Sequence, residues 1–141
     1  MAGSTELDLS LNYFKEPKTY TGVMAKAQDI KNLLFMKPGD FPSIPDMGIN
    51  ISSIRFEDID ALLAGDLREK IKSQITTYIA NVPLDDVVIS ISKVKGMYVL
   101  FIDISLYADK QKVTASYAFA QKKYKIINFQ LNLTENSVGR T

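Results

Sequence analysis

A chain of 141 residues, 46% hydrophobic and 23% charged, has the size and make-up of one globular domain with a packed core. Seventeen basic against sixteen acidic residues leave a net charge of +1, which excludes strong electrostatic attraction to nucleic acid or a membrane surface. Cysteine and histidine are both absent, and with them go disulfides, thiolate or imidazole catalysis and the commonest metal ligands.

Residues 1–20 are aperiodic apart from the alternation of Leu7, Leu9 and Leu11. Tyr13, Phe14 and Tyr20 are too apolar for a solvated tail, so this segment reads as an arm that docks on a neighbouring subunit, followed by a single domain over residues 21–141. No apolar run reaches the roughly 18 residues needed to span a bilayer, and the first residues lack a signal-peptide core, so a non-secreted domain with no membrane contact is expected.

From Thr21 the pattern is helical, with Val23, Ala27, Ile30 and Leu34 on one face and Lys26, Asp29 and Lys31 elsewhere on the turn. Pro38 and Gly39 end that helix. Leu33 to Ile51 then holds three prolines (Pro38, Pro42, Pro45) and two glycines (Gly39, Gly48) among apolar residues. It is too apolar for a linker and too broken for a helix or strand. The expectation is a rigid, shaped loop, kept partly buried by Phe41, Ile44, Met47 and Ile49.

A second, short helix is expected from Phe56 to Leu63, ending at Ala64-Gly65. A third would be capped by Asp66, with Glu69 completing a capping-box-like pattern. Leu67, Ile71, Ile75, Tyr78 and Ile79 form its apolar stripe, with Arg68, Lys72 and Gln74 largely off it, and Pro83 follows its end.

After Pro83 the period becomes two. Val87, Ile89 and Ile91 alternate with Val88, Ser90 and Ser92, and Lys95-Gly96 makes a turn. Leu100, Ile102, Ile104 and Leu106 share one face of a strand from Met97 to Tyr107; Val99, Phe101 and Asp103 on the other face suggest that it too is partly covered. Val113 to Ala120 and Tyr124 to Leu133 complete the set, joined by a Gln121-Lys122-Lys123 turn. Two or three helices followed by a four-stranded, mainly antiparallel sheet packed on them is an α+β fold.

For chemistry the residues offer little. The nearest approach to a catalytic set is a carboxylate pair of the kind glycoside hydrolysis uses. Asp40 and Asp46, Glu57, Asp58 and Asp60, and Asp85-Asp86 are candidates, each explained more simply by turns, helix starts or a strand start. Lys122, Lys123 and Lys125 near Tyr117, Phe119 and Tyr124 would suit nucleic acid, but alternation turns most of those aromatics inward and leaves the lysines as a solvated hairpin. The expectation is no enzyme, no cofactor, no metal and no nucleic acid. Interaction then falls to the Pro-rich loop and the sheet edges, since an exposed edge can accept a partner strand.

The succession of a helix ending in NLLFMKPGDFPSIPDMGINI, a short helical stretch, a capped helix ending in Tyr78 and a β-rich half resembles the baseplate wedge proteins of contractile phage tails. That family is often called lysozyme-like and extends to type VI secretion and related injection machines. Leu33, Leu34, Lys37, Gly39, Pro42, Pro45, Asp46, Gly48 and Ile51 fill the places of its loop signature, with Met47 where a phenylalanine is usual. The resemblance covers residues 20–107 well and the last two strands more loosely. It departs after the capped helix, where many members carry Glu-Pro-Arg and this chain has Ile79-Ala80-Asn81-Val82-Pro83.

The resemblance implies a virion structural protein of the inner baseplate, six copies per particle, bound to wedge and hub proteins. It also implies a platform on which the tail sheath begins to polymerise, by strand addition to the sheet within residues 86–133. The partner-binding residues would be Lys37, Pro38, Gly39, Phe41, Pro42, Pro45, Asp46, Met47, Gly48 and Tyr78, with Lys122 and Lys123 guarding an edge against self-pairing. Asp46 would brace the loop and Gly48 would allow a conformation closed to other residues. A peptidoglycan glycosidase and a generic adaptor are the alternatives.

Overall fold

The computed structural model describes residues 20–108 and 111–136; the expected docking arm lies outside them except for Tyr20. Helix α1 (Tyr20–Phe35) begins at the arm's end and α2 spans Ala61–Tyr78. Between them lie the Pro-rich loop and two single 3-10 turns, Ile51–Ser53 and Phe56–Asp58. Strands β1 (Leu84–Val94), β2 (Met97–Ala108), β3 (Gln111–Lys122) and β4 (Lys125–Asn136) follow as an antiparallel meander in the order β1-β2-β3-β4. The α+β class and the sequence of helices before strands are as expected.

The expected stripe of α1 is fully buried: Val23, Ala27, Ile30 and Leu34 meet the sheet. Lys26, expected elsewhere on the turn, is buried as well, because its long side chain runs across the helix interface and its Nζ donates to the Ala80 carbonyl at 2.6 Å. Burial lowers the Lys26 ammonium pKa and raises that of Asp29, each partly offset by the other's charge. A carboxyl whose folded pKa is raised binds protons more readily folded than unfolded, so its contribution to stability is lost as pH climbs from about 4 through the raised value. The urea midpoint of Asp29→Asn is therefore expected to gain on wild type as pH rises from about 4 through the raised value. A constant offset across that window would mean that Asp29 titrates as in the unfolded chain.

The expected break at Ala64-Gly65 does not occur, and one helix replaces two. Asp60, not Asp66, is the N-cap: its backbone is extended and its Oδ1 accepts the Leu63 N–H at 2.8 Å. Gly65 lies inside the helix on an exposed face, where its cost of about 1 kcal/mol is offset by the packing of Leu67, Ile71 and Ile75 below it. Phe56–Asp58, expected to open a helix, is only a 3-10 turn that seats the buried Phe56.

In the sheet, the inner rows run Ile89–Ile102–Tyr117–Leu131 and Ile91–Leu100–Phe119–Phe129. Phe35 of α1 packs edge-on against Phe119 and Phe129, with ring centroids 5.5 and 5.2 Å away. Tyr117 is wholly buried yet satisfied, donating its hydroxyl to the Ala27 carbonyl at 2.7 Å; burial pushes its phenol pKa far up. The other face meets expectation only in part, since Val99 and Asp103 are half-buried. Phe101 is exposed, both helices lie on the inner face, and among the described residues no helix covers the outer one. Its small polar side chains serve one another instead, as in the Ser105–Thr114 hydroxyl contact at 3.3 Å.

Candidate functional site: a closed apolar loop

The Pro-rich segment leaves α1 and returns to the same place. Ile49 donates to the Leu33 carbonyl at 3.1 Å and Asn50 to the Met36 carbonyl at 2.9 Å. Residues 37–48 are thereby pinched into a closed loop that also satisfies carbonyls left over at the end of α1. Within it, Asp40 N–H donates to the Lys37 carbonyl and Lys37 N–H donates to Asp40 Oδ2, both at 3.0 Å. Turns at Phe41–Ile44 and Ile44–Met47 follow, at 2.9 and 3.2 Å. The side-chain brace is thus Asp40; Asp46, expected in that role, contributes its backbone carbonyl.

The base of the loop is fixed from α2. Gln74 accepts the Gly48 N–H on Oε1 at 2.9 Å and donates Nε2 to the Asp46 carbonyl at 3.0 Å, copying with one amide the two bonds of a neighbouring strand. Gly48 is indispensable to this closure. Its φ is +130° and a Cβ there would sit 2.4 Å from the Met36 carbonyl oxygen, so the expected close approach is present. Met47 packs against the core and Ile49 is buried within it, as expected. Phe41 and Ile44 do not: they are 49% and 38% exposed. The loop is ordered by its hydrogen bonds, not by burial of its tip, so Lys37 to Asp46 all face solvent.

Tyr78 is half-buried one turn beyond Gln74 on α2, and so belongs to the same flank as the loop's base. The two lysines do not join them. The edges of the sheet are β1 and β4, whereas Lys122 and Lys123 occupy the β3–β4 hairpin, Lys122 as the closing pair with Lys125 and Lys123 with Tyr124 as the turn, at φ of +51° and +68°. Two positive φ values in a two-residue turn match the twist of the strands. Both lysines therefore stand at one end of the edge strand β4 and not along it. Beside them the Arg55 guanidinium lies 4.0 Å from the Tyr124 ring centroid, and the buried Gln121 holds the Phe56 N–H and Ile54 carbonyl, each at 2.8 Å.

Six of the seven candidate carboxylates have structural duties. Asp60 caps α2, Glu57 and Asp58 lie near Arg55, and Asp85 pairs with Lys112 and Tyr107. Asp86 binds Arg68, which holds its carboxyl below the usual range. With Asp40 in the loop turn, Asp46 alone is left exposed without such a duty. Gln74, Gln121 and Arg68 were not singled out by sequence reasoning. A lone polar residue on a helix or strand carries no sign of which backbone it will meet.

No protein-family model matches the chain, and no curated protein matches it. A solved structure from Geobacter sulfurreducens, named as a candidate tail lysozyme, shares the fold at 18% identity, with a TM-score of 0.52 over 72% of this chain and 92% of that one.

Proposed function

We propose that this protein is a structural component of the inner baseplate of a contractile tail, docking on wedge and hub subunits through the closed loop and starting sheath polymerisation on its sheet. The observation that carries the reading is an ordered loop that presents Phe41, Ile44 and three prolines to solvent on a hydrogen-bonded base. Such a surface loses little entropy on binding and offers apolar contact area. The shared fold with a protein named for a tail agrees with it. Six copies per particle, a place in the virion and assembly without catalysis belong to the same proposal.

Phe41→Asp and Ile44→Asp should leave the fold intact, since both side chains are exposed. They are expected to cut incorporation into baseplates by about tenfold or more, read by quantifying the protein in purified particles. Full incorporation of both variants would remove the loop from the interface. The rival glycosidase reading is checked by turbidity of a peptidoglycan suspension. Clearing that disappears in Asp40→Asn or Asp46→Asn would replace a structural role with an enzymatic one.

A further inference from the structure

The meander brings two of its turns to one end of the sheet. Lys95-Gly96 closes β1 on β2 at the pair Val94–Met97, and Lys123-Tyr124 closes β3 on β4 at Lys122–Lys125. Because Tyr98 faces Gln121 across β2 and β3, the two closing pairs stand level and side by side. With strands about 4.8 Å apart, the two hairpin ends are separated by about 10 Å. Lys93, Lys95, Lys122, Lys123 and Lys125 are all exposed there, joined by Arg55 beside Tyr124. The chain's balance of +1 conceals this segregation.

Two features of this end cost stability. Lys122 and Lys125 are cross-strand partners, and like charges directly opposite each other repel. Lys95, Lys123 and Tyr124 hold φ of +50°, +51° and +68°, a region that suits glycine or asparagine better than a long side chain. Among the described residues none of the five lysines is paired with a carboxylate. Such costs gathered at one exposed end are the signature of a surface shaped for something outside the fold.

Arg55 is the fixed point of this surface. Its guanidinium lies 4.0 Å from the Tyr124 ring centroid, which holds the planar fork in place. Glu57 and Asp58 approach it only to 3.7 and 3.9 Å, well beyond the roughly 2.8 Å of a charge-assisted hydrogen bond. The fork is therefore open to a closer carboxylate. Asp60, the next acid in the chain, is engaged in capping α2, beside a hollow of about 190 Å³ lined by Ala61, Ala64, Ile89 and Ile91.

We infer that this basic end binds an acidic segment of a partner protein, with the Arg55 fork taking one carboxylate and the lysines of both hairpins flanking it. The surface is separate from the docking loop, and nothing in it rests on the baseplate reading. Charge selects an anion, and the aromatic rings select which kind. Nucleic acid needs open ring faces on which bases stack. Tyr117 and Phe119 are wholly buried, and Arg55 already covers one face of Tyr124. An acidic segment needs no such platform. In a polyproline-like segment, carboxylates three residues apart share a side about 9 Å apart and so reach both hairpin ends.

A fluorescent peptide of repeated Glu-Gly-Gly units, titrated with the full-length protein and followed by anisotropy at physiological salt, tests this. Its Gln-Gly-Gly counterpart and a single-stranded oligonucleotide of equal charge are run beside it. Wild type should bind the acidic peptide at least about tenfold more tightly than either, and less tightly as salt rises. Lys125→Glu turns a repelling pair into an attracting one, so melting temperature should rise while peptide binding drops about tenfold. Arg55→Lys keeps the charge but loses the fork, and should weaken binding about fivefold. Lys70→Glu makes the same charge change as Lys125→Glu on an exposed position of α2, and should stay within about twofold of wild type. An equal loss in Lys70→Glu would reduce the effect to net charge and overturn the site. Full binding by Lys125→Glu, or no peptide binding by wild type, overturns it as well. Tighter binding of the oligonucleotide overturns the choice of partner, and none of these outcomes bears on the loop.

Discussion

Gly48→Ala is expected to destabilise the protein by about 4 kcal/mol, because two independent costs fall on one atom. The φ of +130° is closed to side chains, and the new methyl would lie 2.4 Å from the Met36 carbonyl oxygen, a backbone atom that cannot swing aside. Met36 is also where Asn50 closes the loop, so any shift there opens the Ile49–Leu33 and Gly48–Gln74 bonds as well. Gly39→Ala is the control. Its φ is +96° but no atom lies within 4 Å of the added Cβ, so only conformational strain is incurred, about 1 kcal/mol. Urea denaturation of both variants separates the two costs. Equal losses would mean that the Met36 carbonyl is not the obstacle.

Gln121→Met is expected to cost about 3 kcal/mol, although it replaces a polar side chain with an apolar one of similar length in a buried place. The variant leaves the Phe56 N–H and the Ile54 carbonyl without partners, and each unpaired buried group costs about 1–3 kcal/mol. Gln74→Met removes the same kind of two-bond bridge from the loop. There the Asp46 carbonyl is exposed and the Gly48 N–H bond is only part-buried, so the loss of stability should be nearer about 1 kcal/mol. What Gln74→Met should lose is docking, because the loop's base is no longer held in one geometry. A larger stability loss at Gln74 than at Gln121, by thermal or urea unfolding, would reverse this assignment of roles.

These two glutamines mark the limit of what pattern alone conveys. The strands were legible because alternation along Leu100–Leu106 and Val113–Phe119 leaves only one way to bury a face, and turn residues stand between them. The α1 stripe was legible for the same reason at a period of 3.6. The start of α2 was not, since Asp60 and Asp66 are both capable caps and Gly65 resembles a stop. The choice was made by Asp60's extended backbone and by Leu67, Ile71 and Ile75, whose burial outweighs one exposed glycine.

The loop was legible as rigid and special, but not in its manner of order. Apolar content suggested burial of Phe41 and Ile44, whereas closure onto Leu33 and Met36 frees them to face solvent. The lysines of the β3–β4 hairpin were placed in the right turn, but that the turn stands at the end of an edge strand was not legible, because it depends on strand order.

By itself, then, the amino-acid sequence determined the order of elements, their inward faces, the α+β class, the shaped loop and the lack of histidine or cysteine chemistry. All of these follow from local period, backbone restriction or composition. Only the tertiary structure decided that the loop stands open on a hydrogen-bonded base, that Gln74 and Gln121 hold backbone 26 and 65 residues away in the chain, and that β1 lies beside a helix-lined hollow. Those are consequences of long-range packing, where a single amide or a missing side chain acquires meaning from whatever the fold sets against it.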